Sequence, residues 1–386
     1  MTVYLDNAAT SYPKPRAVLT AVTRAAKTAY GNAGRASHAP AREASELTFD
    51  CRGEIASLFG GESERVVFAA NATAALNLAI KALTPRDSHL LLSDMEHNAV
   101  LRPVTALQAR GVSHSFYRVI ANGIPDKKRD GAAVLASLTA SLRPDTVGVI
   151  ACHRSNVLPI EAPLEAIGQF CKERGLFFIV DASQSAGAAA IDIERMHITA
   201  LCAPSHKGLY GIRGTGFVLF GKAVRDETLA TLIEGGSGSD SRNALMPELL
   251  PERLEAGTLP VEVIAALAEG VRFVKKTKEE TIGAKEAYLA AYLKSRLLRL
   301  PSVRVYCPAR SEGSIVLFNV AGKSAEEAAD LLDSRGIALR AGLHCAPLAH
   351  RLVGTETIGA LRASFGYDNT EADADSLVYA LKQIGK

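Results

Sequence analysis

The 386-residue chain has no run of like charge, no apolar stretch long enough to span a bilayer, no internal repeat and no low-complexity segment. Each absence removes a class of function. Lys plus Arg number 44 and Asp plus Glu 41. Charges so evenly balanced and dispersed offer no patch for nucleic acid or a membrane surface, so a small-molecule partner is expected. A spanning helix needs about 20 consecutive apolar residues, and the chain has no such run. The N-terminal MTVYLDNAATSYPKP lacks the basic-then-apolar order of a secretory leader, so a soluble, cytoplasmic protein is expected. Cysteine is sparse and irregular. Cys51, Cys152, Cys171, Cys202, Cys307 and Cys345 share no repeated short spacing, which argues against a zinc site or a disulfide framework and predicts buried, reduced, inert thiols. Only Cys345 sits in a context that suggests more.

What is present is enough apolar residue, 48%, for a large body and a smaller companion. Short apolar runs alternate with segments of helical spacing. Strands are expected near Arg65–Ala69, Leu90–Ser93, Val147–Cys152, Phe177–Val180, Leu201–Ala203 and Gly214–Phe220, with helices near Arg16–Tyr30, Pro40–Phe59, from Asn71, and Leu158–Gly175. That alternation predicts an α/β body with a mostly parallel sheet. Gly31–His38 and Glu234–Thr258 read as loops. A helical pattern over Val261–Leu298, strands near Val303–Tyr306, Ile315–Val320 and Leu361–Phe365, and helices over Ala325–Arg335 and Glu371–Ile384 predict a second, smaller α/β body, completed by an extended arm over Tyr4–Pro15.

The stretch VDASQSAGAAAIDIERMHITALCAPSHKGLYG, Val180 to Gly211, carries the first chemical signal. Asp181 ends an apolar strand and Lys207 lies on the next return. A carboxylate that keeps a pyridine nitrogen protonated and an amine that forms a Schiff base are the two groups pyridoxal phosphate chemistry needs. The helix opening at Asn71-Ala72-Thr73 is either a phosphate seat, because free N–H groups and the helix dipole converge there, or an ordinary cap. His97 falls just past the carboxyl end of a strand, where open parallel sheets bind ligands.

The motifs DNAAT, NATAALN, MEHNAV, SNV, VDASQ, SHKG, EAGT, RAGLHCAPLAH and RASFGY stand in the order and spacing of the cysteine desulfurases, which the whole chain resembles. The resemblance implies a pyridoxal phosphate-dependent, aspartate aminotransferase-like α/β fold of type I, in the class V branch. It implies an N-terminal arm over residues 1–15 packing with the small domain, a large cofactor domain over 16–258, and a small domain over 259–386 carrying the Cys345 loop. It implies Lys207 as Schiff-base lysine, Asp181 against the pyridine nitrogen, and Gln184 with Asn156 near the phenolic oxygen. His97 would stack on the ring and move protons, and Ala72, Thr73, Ser205 and His206 would hold the phosphate. Thr258 would reach the phosphate of a neighbouring subunit, which implies a homodimer. Arg362 would hold the substrate carboxylate, with Arg340 and Asn156 as further substrate contacts. Cys345, favoured as thiolate by Arg340 and His344, would take the sulfur of L-cysteine as a persulfide, releasing L-alanine and passing sulfur to an acceptor protein. A selenocysteine lyase, or another class V lyase or transaminase, is the sibling reading.

The chain departs from the family at one place. Val157 runs straight into Leu158-Pro159-Ile160, without the usual Gly-Thr pair, and shortens the loop after Asn156 by about four residues, where loops normally position site groups. A displaced Asn156 would leave a cofactor-binding protein of weak or no activity, which is the second alternative.

Overall fold

Most of the central strands are buried from end to end, as expected for a parallel sheet covered on both faces. The computed structural model describes residues 2–34, 37–119, 127–238, 242–306 and 312–385; Cys307 and parts of the two predicted loops (35–36 and 239–241) lie outside these. The chain begins with β1 (Val3–Tyr4) and continues through α1 (Arg16–Thr28), α2 (Ala39–Phe59), β2 (Val66–Ala69), α3 (Ala72–Leu83), β3 (His89–Ser93), α4 (Asn98–Ala106) and β4 (Ser113–Tyr117). Next come α5 (Lys127–Ser141), β5 (Thr146–Cys152), α6 (Leu164–Arg174), β6 (Phe177–Asp181), β7 (Ala200–Pro204) and β8 (Gly216–Phe220). Local chemistry marks several boundaries. Asn71 caps α3 by accepting from Ala74 N–H at 3.0 Å, and Gly60 and Gly175, with φ of +68° and +64°, close α2 and α6 in the left-handed turn that glycine adopts without strain. The pattern read as one helix from Leu158 begins only at Leu164. Before it, Arg154 and Glu161 form an antiparallel bridge that folds the short loop back on itself.

The seven strands form one sheet in the order β2-β8-β7-β6-β5-β3-β4, in which β8 runs antiparallel to both neighbours and the remaining pairings are parallel. Alternate residues face opposite sides. Val149, Phe178, Val180 and Leu201 join one buried cluster, while Ile150, Ile179, Ala200 and Cys202 join the other. From β3 the chain steps outward to β4, then returns to lay β5 on the other side of β3. That reversal opens a crevice at the carboxyl ends of β3 and β5, the place where sheets of this type bind ligands.

The second body follows α7 (Val261–Thr277) and α8 (Glu279–Leu297), and comprises β9 (Val303–Val305), β10 (Ile315–Val320), α9 (Ala325–Asp333), β11 (Ile337–Ala338), β12 (Arg340–Gly342), α10 (Pro347–Leu352), β13 (Ala360–Ser364) and α11 (Glu371–Ile384). Four strands pair antiparallel in the order β12-β13-β10-β9. Leu293 and Leu297 of α8, Leu332 of α9 and Leu377 and Leu381 of α11 pack with Phe318 and Leu361 in its core. The single helical pattern over 261–298 is two helices, broken at Lys278, whose φ is +73°. The first of them, α7, packs on α1 and α2 and puts Ile264, Leu267 and Val271 into the large core; the apolar face of this helix, not the composition of the preceding loop, decides its allegiance. The arm pairs β1 in parallel with β11. No described helix is long and apolar enough to cross a membrane.

Candidate active site

Four parallel strands deliver the site. His97 follows β3 and caps α4, its Nδ1 accepting from Ala99 N–H at 3.0 Å. Asn156 follows β5, Asp181 ends β6 and Lys207 follows β7. With Ala72 and Thr73 from the start of α3, Gln184 and His206, these residues line one pocket. Eight of the expected cofactor contacts therefore converge in space from separate segments. Ser205 lies between two wall residues, fully buried, its Oγ without a hydrogen-bond partner among the described residues. Thr258 is on an exposed loop and is not part of this wall.

Burial depresses the Lys207 amine to about 8, with Asp181 opposing the shift and the Arg362 guanidinium adding to it. His97 is lowered by burial, against the pull of Asp181, and His206 is lowered to about 4 by burial, Lys207, Lys14 and Arg213. Asp181 Oδ1 accepts from Ser183 N–H at 2.9 Å, which fixes the carboxyl at the strand end. The Oγ of Ser205, the Nδ1 of His206 and the Oδ1 of Asn156 are buried without partners among the described residues. A buried polar atom left unpaired costs about 1–3 kcal/mol, so three around one pocket point to a polar ligand. Gly216 lets β8 approach the opening of α3, because a Cβ there would lie 2.9 Å from the Asn71 carbonyl carbon and 3.1 Å from Ala72 N. The free N–H groups at that helix start suit an anion.

The shortened loop does not carry Asn156 away. Ser155 Oγ accepts from Val157 and Leu158 N–H, each at 3.2 Å, and this tight turn leaves Asn156 in the pocket wall with Nδ2 donating to the His344 carbonyl at 2.7 Å. Arg362 lies outside the wall but adjoins it: Nη1 donates to the Asn156 carbonyl at 3.0 Å and Nη2 pairs with Asp6 Oδ1 at 2.6 Å. Arg340 and Arg362 are directly opposed across β12 and β13. Like charges so placed repel, and the arm's Asp6 is the anion supplied beside them.

Cys345 is exposed, while Cys51, Cys152, Cys171 and Cys202 are buried and free. His344 and Cys345 both have left-handed backbone, φ of +51° and +57°, a conformation that costs a non-glycine residue of order 1 kcal/mol or more. His344 is held down to about 2 by burial and by Arg362; it is neutral, so the expectation that its charge favours a Cys345 thiolate is corrected. Arg340 and Arg362 are cations that act on this loop at His344.

Sequence reading missed Cys152, Arg154 and Ser183 in the pocket wall. Each lies at or within two residues of the end of a parallel strand, a position that would have flagged them. Arg154 is tied to Glu161 at 2.7 Å and to the Ala188 carbonyl at 3.2 Å. The arm was missed as a site element. Ser11 Oγ donates to the Lys207 carbonyl at 2.8 Å, Lys14 Nζ to the His206 carbonyl at 2.8 Å, and Gln184 Nε2 to the Ala8 carbonyl at 2.9 Å.

A two-body α/β fold with a lysine, an aspartate and a helix start around one crevice defines a class of enzyme, and the family model described as Aminotransferase class-V matches residues 3–377. The chain belongs to the class-V aminotransferase family. Among similar proteins, a probable cysteine desulfurase of Halobacterium salinarum is 32% identical, the alignment covering 99% of this chain and 91% of that one. One of Aeropyrum pernix is 31% identical, over 99% and 94%. Among solved structures, the apo cysteine desulfurase of Thermococcus onnurineus superimposes with a TM-score of 0.87 at 26% identity, covering 99% of this chain and 94% of that one. The cysteine desulfurase CsdA of Escherichia coli gives 0.85 at 26%, over the same shares. The fold is the expected fold type I.

Proposed function

We propose that this chain is a pyridoxal phosphate-dependent cysteine desulfurase that forms L-alanine from L-cysteine and keeps the sulfur as a persulfide on Cys345. The observation that carries the reading is the placement of an exposed thiol on a loop docked against the pocket: Asn98 N–H, at the first turn of α4 beside His97, donates to the Cys345 carbonyl at 2.8 Å. A simple transaminase has no use for that thiol.

The residues present fit the cofactor. Lys207 is the amine that would hold it covalently, Asp181 the carboxylate for its ring nitrogen, His97 the ring beside it, Gln184 and Asn156 the contacts to its phenolic oxygen. Ala72, Thr73, Ser205 and His206 would take its phosphate, with the Thr258 of a neighbouring subunit in a homodimer. When bound, pyridoxal phosphate supplies an electron sink for the substrate carbon. Arg362 and Arg340 hold the substrate carboxylate, for which a planar guanidinium is suited. The Lys207 amine would carry the α-proton. The Cys345 thiolate forms a sulfur–sulfur bond as the substrate carbon–sulfur bond breaks; the electron pair returns to the carbon skeleton, which takes up protons and leaves as alanine. The persulfide then passes to an acceptor protein.

The test is to add L-cysteine to the cofactor-loaded protein with a thiol reductant and measure alanine. Stoichiometric alanine and sulfide are expected; a change of cofactor colour without alanine overturns the reading in favour of a binding protein.

Lys207 gives a second measurement. An amine attacks an aldehyde only when unprotonated, and depression from 10.5 to about 8 shifts the neutral fraction to lower pH. The rate of cofactor uptake by the stripped protein should rise through about pH 8 and level off above it. A rate that climbs only near 10.5, the ordinary lysine value, would contradict the buried amine.

A further inference from the structure

The loop that carries Cys345 is anchored from two directions, and the mechanism above uses only one of them. Its carbonyls are tied to Asn156 and Asn98. The His344 side chain points the other way, into a buried chain of hydrogen bonds. His344 Nδ1 lies 3.0 Å from His350 Nε2, His350 Nδ1 lies 2.8 Å from Thr355 Oγ1, and His344 Nε2 lies 3.4 Å from the Arg340 carbonyl. The two imidazole planes are 5° apart. All three side chains are buried, His344 at 3% exposure and the others at 0%.

Proton accounting gives the chain one polarity. The Arg340 carbonyl only accepts, so His344 Nε2 carries the hydrogen, and in a neutral ring Nδ1 is then the acceptor. His350 must therefore donate from Nε2 and accept at Nδ1, where the Thr355 hydroxyl donates at 2.8 Å in preference to the His350 carbonyl, its other acceptor, at 3.4 Å. The opposite polarity would aim the His344 Nε2 lone pair at a carbonyl oxygen. The charged and titratable groups facing His344 are Arg362, Arg340 and His350, and those facing His350 are Arg362 and Glu356; burial and the arginines keep both rings neutral. Relaxing His344 or Cys345 out of the left-handed region turns the His344 Cα–Cβ direction and pulls its ring off His350.

We propose that His350 and Thr355 are positioning residues, which fix His344 in one tautomer and rotamer and so hold Cys345 in the left-handed backbone that presents its thiol. This rests on the reading of Cys345 as sulfur acceptor. Neither residue lines the pocket, and neither side chain hydrogen-bonds the Arg340 or Arg362 guanidinium among the described residues, so their effect is expected on the sulfur-taking step and not on cofactor or substrate binding.

The experiment compares cofactor-loaded wild type with His350→Phe, His350→Gln and Thr355→Val. It measures kcat and KM for L-cysteine, the cofactor spectrum, and the rate at which iodoacetamide alkylates Cys345. Since a misplacement of about 1 Å can cost roughly a hundredfold, His350→Phe should lower kcat by about 30-fold with KM within about twofold, and change the alkylation rate by about fivefold or more. The spectrum should be unaltered. Gln keeps an N–H for His344 Nδ1 and should recover about a third of the wild-type kcat; Thr355→Val should fall between. Equal losses in Gln and Phe, a His350→Phe kcat within about twofold of wild type, or a loss that appears in KM and cofactor loading, overturns the proposal. Should Phe not fold, Gln and Val decide by the same criteria. Should wild type form no alanine, the proposed activity fails, and the alkylation rates alone decide the positioning role.

Discussion

Replacing Cys345 with alanine is expected to leave the cofactor bound and coloured while alanine and sulfide production from L-cysteine falls by about a thousandfold or more, the scale of losing a covalent nucleophile. The separation follows from geometry. Cys345 lies outside the wall formed by Lys207, Asp181, His97 and the start of α3, and its backbone contacts to Asn98 and Asn156 run through the Asn98 N–H and the carbonyl of His344, which a side-chain truncation leaves in place. The proposed substrate contact through Arg362 should survive too. The measurement is single-turnover alanine formation beside the absorbance spectrum; undiminished sulfur release by the variant would remove Cys345 from the reaction and return the site to lyase or transaminase chemistry.

Lys207→Ala is expected to abolish turnover and the covalently bound cofactor together. Noncovalent contacts remain, so some pyridoxal phosphate should still associate, with the absorption of the free aldehyde. The expected loss is about 10⁴-fold or greater, because in the proposed reaction one amine serves both as attachment point and as proton carrier. The pocket has a second lysine near it, Lys14, depressed to about 8 by burial and by Arg213; its Nζ donates to Ser11 Oγ and the His206 carbonyl, each at 2.8 Å, which holds it away from the role. A variant with normal spectrum and turnover would show that the anchor lies elsewhere.

Much of the pocket was legible because strand ends write their chemistry at predictable places. Asp181, Lys207, His97 and Asn156 each follow an apolar run, and fold type I brings those four ends together. What the sequence did not disclose depends on long-range packing. Nothing local in Val261–Thr277 says that its apolar face meets α1 and α2, and nothing in HCAPLAH says that its histidines bond to each other and not to the cofactor or to a thiolate. Strand β4 and helices α4 and α5 were not anticipated either. The strand SHSFY is half polar, and α5 has a weakly amphipathic sequence, so neither shows the strong period on which sequence reading depends.

The pair between Asp6 and Arg362 joins positions 356 residues apart, and the same arm binds the Lys207 and His206 carbonyls. During synthesis the large sheet can be complete while Arg362 is still to be made, yet Asp6 has no guanidinium to meet and the arm has no β11 to pair with. The pocket is therefore closed last, by an early segment that waits for a late one, and a chain released before the second body is finished carries a formed crevice without Arg362, the proposed carboxylate contact, or Cys345, the proposed sulfur acceptor.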